Sequence, residues 1–219
     1  MPRNRLVIGL LLAAAGSAHA QTATLIIKED DFIAPDIFLT AFDSVNVNTQ
    51  GSWLVQARSA TDSLLIQDGV VVGREGESLA DPPGGVTGFF GGARFNNNGN
   101  RGHRFSITGV PSNADSGIFF NQRLVIQEGD FSLAPQLASS SRYLGFFNAT
   151  RMNDLDQIFV VATVDDPTIP SGVDRALVRV NYDAAVSLYT EDALAFETMT
   201  FDGAALVEIG TNPNQLSVS

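Results

Sequence analysis

The chain has 219 residues, with 24 Asp and Glu residues against 13 Lys and Arg residues, no cysteine, and a formal net charge of −11. This composition excludes nucleic acid as an expected partner, because binding it requires basic clusters that neutralise phosphate groups. The absence of cysteine excludes a disulfide scaffold and cysteine-based catalysis, so stability has to come from burial and backbone pairing.

The first 20 residues are typical of a secretory signal peptide. Arg3 and Arg5 form a positive n-region, residues 6–15 are apolar but too few to span a bilayer, and Ala18-His19-Ala20 is a small-x-small cleavage site. Gln21 is then the predicted mature N-terminus, and loss of the two arginines lowers the formal net charge from −11 to −13. We expect a secreted, periplasmic or extracellular product with no membrane span after cleavage.

The mature chain, residues 21–219, is predicted to be a single all-β domain. Its apolar runs are short, rich in β-branched and aromatic side chains, and separated by Gly, Asn, Asp and Pro. None repeats apolar residues at the i, i+3, i+4 spacing of an amphipathic helix. The clearest predicted strands are SWLVQA (52–57), SLLIQD (63–68), GIFFNQ (117–122), RLVIQE (123–128), QIFVVATV (157–164) and RALVRVNY (175–182).

Two alignments of the chain on itself indicate repeats of about fifty residues. GFFGGARFNNNG, from Gly88, matches GFFNATRMNDLD, from Gly145, with five identities at a separation of 57. DSLLIQDG, from Asp62, matches DSGIFFNQ, from Asp115, at a separation of 53, and DRALVRVN, from Asp174, continues the series. Four short strands per unit, repeated at this period, predict a β-propeller-like array of four-stranded antiparallel meanders. A β-sandwich is the alternative.

The turns between the first and second predicted strands resemble those of a known family. They begin at Asn48, Asn96 and Asn153 and end at Gly51, Gly99 and Asp156. This pattern resembles the Asn-x-x-Gly-x-x-Ala-Phe (NxxGxxAF) repeat of bacterial exported tandem-repeat proteins. Asp156 departs from it by replacing glycine, and no copy has the Ala-Phe pair. The resemblance implies an exported repeat array with no assigned reaction, and therefore architecture more than chemistry.

Acidic residues gather in the connections at the other end of the predicted strands. Connections in a meander alternate between two ends, so the turns after the fourth strands and the loops between second and third strands share one end. A strongly negative end is expected to attract Ca²⁺ or a basic partner; the alternative is ordinary solvated turn residues. The acidic positions are Glu75, Glu77, Glu128, Asp130, Asp165 and Asp166, with Glu29-Asp30-Asp31 and Glu191-Asp192 as further acidic turns.

Catalytic patterns are scarce in the mature chain. His103 is its single histidine, and no Gly-x-Ser-x-Gly elbow presents a serine nucleophile, so His103 is interpreted as a surface or packing residue. A pair of carboxylates could still serve glycoside hydrolysis, but the sequence does not identify the pair. The predicted function is an exported non-enzymatic binding module, with a secreted carboxylate-based glycoside hydrolase as the alternative.

The two ends of the mature chain read as parts of one further unit. Residues 25–29 parallel residues 124–128 and are predicted to form a fourth strand. Residues 193–219 are predicted to contain a first and a second strand hinged at Asp202-Gly203, then a third in residues 215–219. If the N-terminal strand completes this last unit, the array closes with four units and no free edge. If it does not, the chain is part of a longer array.

Overall fold

The computed structural model describes residues 24–172, 174–183 and 185–212. Within those ranges there is no helix, and the strands form three four-stranded antiparallel sheets and two short hairpins. The all-β prediction is therefore confirmed, as is the prediction of four-stranded antiparallel units. No helix in these ranges is long and apolar enough to cross a membrane.

The strands follow one another along the chain in the following order. A short hairpin, β1 (Phe32–Ala34) and β2 (Ile37–Phe38), precedes the first sheet, β3 (Ala41–Val47), β4 (Trp53–Arg58), β5 (Ser63–Gln67) and β6 (Val70–Arg74). The second sheet contains β7 (Val86–Phe95), β8 (Arg101–Thr108), β9 (Ser116–Phe120) and β10 (Arg123–Gln127). The third sheet contains β11 (Arg142–Met152), β12 (Gln157–Asp165), β13 (Arg175–Asp183) and β14 (Leu188–Phe196), and a hairpin of β15 (Thr200–Phe201) and β16 (Ala204–Ala205) follows it.

Each sheet is a simple meander, in which strands adjacent in sequence are hydrogen-bonded neighbours. The chemistry of the short turns fits this connectivity. Asp68 and Gly69 both have positive φ, 49° and 84°, as the two-residue turn of a hairpin requires, and Asn121 has φ of 55° in the equivalent turn of the second sheet. The third sheet has a longer connection here, between Asp183 and Leu188.

The three sheets pack face to face in chain order, which explains why their middle strands are continuous apolar runs. The first and second sheets share a core to which Leu54, Leu65, Phe90, Phe105 and Phe119 contribute. The second and third share another, which includes Ile118, Phe120, Ile126, Ile158, Val160 and Val178. The other face of the first sheet packs against the segment that contains β1 and β2. A middle strand is thus apolar on both faces, and its sequence does not alternate.

The second and third sheets approach most closely at their first strands, β7 and β11. A Cβ atom on Gly92 would overlap the carbonyl oxygen of Asn148, and one on Gly91 would lie 2.5 Å from the Asn148 Oδ1 atom. The two backbones can be this close only because Gly91 and Gly92 have no side chains. The first strands of the second and third sheets therefore lie side by side.

The turns that begin at Asn48, Asn96 and Asn153 are linked to one another in a row, here called the asparagine ladder. In each turn the Oδ1 atom accepts hydrogen bonds from the backbone N–H groups two and four residues further on. The Nδ2 group of Asn48 donates to the Asn96 carbonyl at 3.3 Å, and that of Asn96 donates to the Asn153 carbonyl at 3.0 Å. The asparagine side chain thus stabilises its own turn through Oδ1 and, through Nδ2, binds the equivalent turn of the next sheet.

A second row of hydrogen bonds runs beside the asparagine ladder. The backbone N–H and hydroxyl of Thr49 donate to Asn97 Oδ1 at 2.9 and 2.7 Å. The backbone N–H and Nδ2 of Asn97 in turn donate to the Asp154 carboxylate at 2.9 and 2.7 Å. The three turns therefore stack in register, so that equivalent residues of successive units lie next to each other.

The 57-residue alignment is correct at the asparagine turns but off by one at the phenylalanine pair. Phe90 is paired with Phe105, and the residue that occupies this place in the third sheet is Phe146, paired with Ala162. The alignment had matched Phe90 with Phe147. Strand β11 contains one more bulged residue than β7, and the bulge moves the apolar side chain by one position.

The prediction of a fourth strand over residues 25–29 is wrong for the strand but locates an equivalent turn. Residues 24–28 belong to no strand, whereas the Lys28 N–H donates to the Asp31 carboxylate as the Gln127 N–H donates to Asp130. Strand β10 is held by β9, and no strand of the described ranges takes the place of β9 beside residues 24–28. Without a neighbouring strand, the segment does not pair as a β-strand.

The C-terminal prediction is also corrected in part. Asp202 and Gly203 do form a turn, with φ of 49° and 80°, but β15 and β16 have only two residues each and are not the first two strands of a sheet. The predicted third strand, residues 215–219, lies outside the described residues. So does its predicted pairing with the N-terminal segment.

The asparagine ladder leads to a stability prediction for Asn96→Asp. The carboxylate can still cap the turn, but it cannot donate to Asn153 or to Asp156, and it meets the Asp156 carboxylate instead. Since Asn96 is only 4% exposed, we expect a loss of about 2–4 kcal/mol in the free energy of unfolding, measured with urea. Asn48→Asp is the matched control, because its Nδ2 makes a single bond at 3.3 Å in a more exposed turn. Equal losses for the two variants would contradict this interpretation of the ladder.

Candidate functional site

The acidic turns after the fourth strands are built in the same way in successive units. In the turn of residues 75–77, the N–H of Gly76 donates to the Thr87 carbonyl and the N–H of Thr87 donates back to Glu77. In the turn of residues 128–130, the N–H of Gly129 donates to the Tyr143 carbonyl and the N–H of Tyr143 donates to the Asp130 carbonyl. The middle residue has positive φ, 88° at Gly76 and 91° at Gly129. Each turn therefore redirects the chain from one sheet into the next.

The carboxylates of these turns are used within the turns. Glu77 accepts the N–H of Arg74 at 3.2 Å, and Asp130 accepts that of Gln127 at 2.7 Å. The first residue of each turn reaches the third strand of its own sheet: Glu75 accepts the Ser63 N–H at 2.9 Å, and Glu128 accepts the Ser116 hydroxyl at 2.9 Å. Four of the predicted site residues are therefore turn-forming groups.

The other two predicted site residues, Asp165 and Asp166, have different roles. Asp165 is the exposed last residue of β12, whereas Asp166 is 3% exposed and holds a loop together. Its carboxylate accepts from the N–H and hydroxyl of Thr168, the Ser141 hydroxyl and the Ala138 N–H, at 2.6–2.8 Å. Burial opposes ionisation of Asp166, but these bonds outweigh it and lower its pKa to about 2.

Glu191 and Asp192 do not form an acidic turn, as the sequence had suggested, but lie inside strand β14. Glu191 is buried and accepts hydrogen bonds from the hydroxyls of Tyr143 and Ser132, at 2.5 and 3.1 Å, and from the Leu133 N–H. The turn equivalent to residues 75–77 is instead formed by residues 197–199, where Glu197 accepts the N–H of Arg175. An alternating strand with an inward-facing glutamate resembles a polar turn in sequence, which explains the error.

The acidic positions are close enough to interact, but they do not converge on one point. Burial raises the pKa of Glu128, and the nearby Asp115 carboxylate raises it further. Burial also raises the pKa of Asp130, with a further contribution from Asp81. Within the described residues, no three His, Cys, Asp or Glu side chains form a group that could hold a metal ion. The contacts favour the turn-residue interpretation of these acids over the calcium interpretation.

His103 lies in β8 and points into the core between the first and second sheets. It is 3% exposed, and its ring stacks on those of Phe105 and Phe119, with centroids 5.1 and 5.7 Å apart. Burial lowers the pKa of His103 to about 3, and the nearby Arg101 cation adds to the effect, so the imidazole is neutral at neutral pH. Its Nδ1 atom has no hydrogen-bond partner among the described residues.

A cleft beside His103 was not predicted from the sequence. It consists of an inner cavity of about 260 Å³, and an outer cavity of about 790 Å³ that adjoins it at Ala80, Asn121 and Gln122. The inner cavity lies between β6 of the first sheet and β7 and β8 of the second, and the outer one opens at the turn between β9 and β10. The one feature of the sequence that could have indicated this cleft is His103, because the equivalent positions after the other two turns, seven residues beyond Asn48 and Asn153, are valines.

Comparison with known proteins gives no match. No protein-family model matches the chain, and neither a curated protein nor a solved structure is similar to it. The resemblance to the NxxGxxAF repeat therefore depends on the turn residues alone and stays a prediction.

The contacts of Asp166 predict a pH-dependent contribution to stability. A carboxyl group whose pKa falls from roughly 3.9 in the unfolded chain to about 2 stabilises the fold by about 2–3 kcal/mol at neutral pH. Because the folded-state pKa is the lower one, this contribution is complete above the unfolded value and is lost as the pH falls through 4 toward 2. Asp166→Ala should therefore cost about 2–3 kcal/mol at pH 7 and progressively less below pH 4, in urea unfolding. The exposed neighbour supplies the control: a comparable loss for Asp165→Ala would show that the effect is not specific to Asp166.

Proposed function

We propose that this protein is an exported, non-enzymatic repeat module with propeller-like packing, and that it binds a basic partner at the acidic end of its sheets. The acidic end is the end at which the chain passes from one sheet to the next. The observation that carries the proposal is the arrangement of exposed carboxylates from successive connections at that one end.

Two features support propeller-like packing over a two-sheet sandwich. Three sheets stack in sequence, and the middle one is covered on both faces, by the first sheet and by the third. The asparagine ladder and the contact of Gly91 and Gly92 with Asn148 hold the successive sheets near their first strands. A radial array places the first strands of its units side by side in this way.

The acidic end presents exposed carboxylates to a partner, even though some of its carboxylates form hydrogen bonds within the turns. Asp115 and Asp165 are exposed and stand at the loops between second and third strands of two neighbouring sheets. The connections between sheets add the exposed carboxylates of Glu77, Asp81 and Asp130, and the turn of the β1–β2 hairpin adds Asp36, which is paired with Arg74. Repeated charges of one sign create an extended negative potential, which attracts a cationic surface and speeds its association.

The contacts do not favour the glycoside hydrolase alternative. Asp62 and Glu75 line one cavity together, and both are already bonded within the protein. Asp62 accepts from Arg74 Nε at 2.7 Å, and Glu75 accepts from the Ser63 N–H at 2.9 Å. A general acid must be free to give its proton to the leaving group, and these bonds hold both carboxylates in structural roles.

Binding of an oligolysine peptide tests the proposed function. We expect measurable binding by isothermal titration at low ionic strength and its loss at roughly 0.5 M salt, because the Debye length shortens to a few ångströms. Asp115→Asn combined with Asp165→Asn should weaken binding by about fivefold or more, since each side chain faces the proposed partner.

The matched control removes the same number of charges from the opposite end of the sheets. Asp68 and Asp183 are exposed and lie at or beside the turns between third and fourth strands. Asp68→Asn combined with Asp183→Asn should change the affinity by less than about twofold. The proposal is wrong if the peptide does not bind at low salt, or if the two double variants weaken binding equally.

A further inference from the structure

The cleft between the first and second sheets has an inner cavity of mixed lining and a polar mouth. The apolar part of the inner cavity is formed by Val72, Leu79, Phe90 and Phe105, and the polar part includes Glu77, Ser78, Thr87 and His103. The mouth is lined by amide and guanidinium groups of Asn100, Arg101, Asn121, Gln122 and Arg123, with the ring of Tyr182 beside them. A cavity that combines apolar side chains with a few converging polar groups is the usual form of a small-molecule site, and 260 Å³ is slightly below the usual size range.

The imidazole of His103 is a buried polar group of this chamber whose Nδ1 atom has no hydrogen-bond partner among the described residues, and packing does not require it. Val55 and Val160 occupy the same position in the first and third sheets and are almost completely buried. A valine would therefore serve the fold at position 103, and a buried imidazole with an unpartnered nitrogen costs free energy by comparison. A ligand group that forms a hydrogen bond with the imidazole would remove that cost.

The mouth of the cleft is positive in a protein whose net charge is negative. Arg101 and Arg123 both line it, and neither forms an ion pair with a carboxylate in the described part of the chain. Arg101 donates to the Gln67 amide oxygen at 2.5 Å, while its Nε atom is buried without a partner among the described residues. Arg123 stands over the ring of Tyr182, 5.9 Å from its centroid. Asp81, also at the mouth, offsets only one of the two positive charges.

We propose that this cleft binds a small aromatic carboxylate that carries a hydroxyl group across the ring from its acid group. The ring enters the chamber lined by Phe90 and Phe105, the hydroxyl forms a hydrogen bond with His103, and the carboxylate lies at Arg101 and Arg123. Glu77 and Asp81 belong to the acidic end and also line this cleft, but the proposed contacts use neither carboxylate, so this proposal does not depend on the proposed binding of a basic partner.

The spacing of the two polar groups along β8 selects this kind of ligand. Arg101 and His103 are two residues apart on β8, so their side chains leave the same face of the strand from Cα atoms roughly 6.6 Å apart. The para substituents of a benzene ring are separated by a similar distance. A ligand with an anionic group alone would leave the imidazole unpaired, and an uncharged phenol would not use the two arginines.

Three probes separate the contributions of these groups to binding. We expect 4-hydroxybenzoate to bind with a Kd below about 1 mM by isothermal titration or saturation-transfer NMR, as an affinity typical of a fragment-sized ligand. Benzoate, which lacks the hydroxyl, should bind about five- to tenfold more weakly, and 4-hydroxybenzamide, which lacks the charge, about tenfold or more.

Variants of the chain then assign each contribution to a residue. His103→Val introduces the residue found at this position in the other sheets, so the melting temperature should stay the same or rise. The preference for 4-hydroxybenzoate over benzoate should disappear in this variant. Arg123→Gln changes an exposed side chain and should weaken binding of both carboxylates about tenfold. Arg142→Gln, at an exposed arginine outside the cleft, is the matched control and should leave binding unchanged.

The outcomes that overturn the proposal are equally specific. Failure of 4-hydroxybenzoate to bind at about 10 mM, where a fragment with a Kd below 1 mM would saturate the site, contradicts it. So does equal affinity for the three probes, or a His103→Val variant that folds and keeps the preference for the hydroxylated ligand. If His103→Val does not fold, the Arg123→Gln and Arg142→Gln pair decides: equal binding by these two variants also refutes the site.

Discussion

The fold depends on the asparagines of the asparagine ladder, whose side chains both accept and donate hydrogen bonds. The asparagine at the start of each turn caps that turn through Oδ1 and reaches the next turn through Nδ2. A four-stranded sheet of this size cannot bury both its faces alone, so each unit needs its neighbour. The ladder sets the register of that packing with hydrogen bonds, whereas apolar contacts by themselves would allow the sheets to slide. Stacking in register then places equivalent residues of successive units close together, including the acidic ones.

Acidic residues in this protein are therefore structural first. Glu75, Glu128 and Glu197 each tie a turn to the third strand of the same sheet, and Asp166 holds a loop by several bonds. The carboxylates left exposed between them are those on which the proposed partner binding depends. A negative surface potential is thus compatible with an absence of converging metal ligands within the described residues. The neutral His103 differs from these carboxylates, because its buried Nδ1 atom has no hydrogen-bond partner among the described residues.

Much of the architecture could be predicted from the sequence because turns have strict chemical requirements. The asparagine turns and the acidic turns were located correctly at Asn96, Asn153 and Glu128, and the meander order followed from them. Strand register was less predictable, since a bulge in β11 shifts Phe146 by one position without any mark in the sequence. The prediction for the N-terminal end was wrong for a related reason. Residues 24–28 have the composition of a strand, but no neighbouring strand in the described ranges pairs with them.

The candidate site was harder to predict than the fold. Glu191 looked like a turn residue because its burial depends on Tyr143, which is 48 positions away in the sequence. The cleft beside His103 is formed by two sheets and a connecting loop, and no local pattern records such a juxtaposition. Its one sequence signal is that position 103, seven residues after Asn96, has a histidine where the positions seven residues after Asn48 and Asn153 have valine.

The central claim is that the asparagine ladder couples one sheet to the next, and a double-mutant cycle between Asn96 and Asp156 tests it most directly. These side chains belong to different units and are joined by a 2.7 Å hydrogen bond. Asp156→Gly suits the positive φ of this position and restores the residue found in the other two turns, so it removes the carboxylate without straining the backbone. Combined with Asn96→Ala, it should show a coupling free energy of about 1 kcal/mol or more in urea unfolding. Additive losses, with a coupling below about 0.3 kcal/mol, would contradict the account.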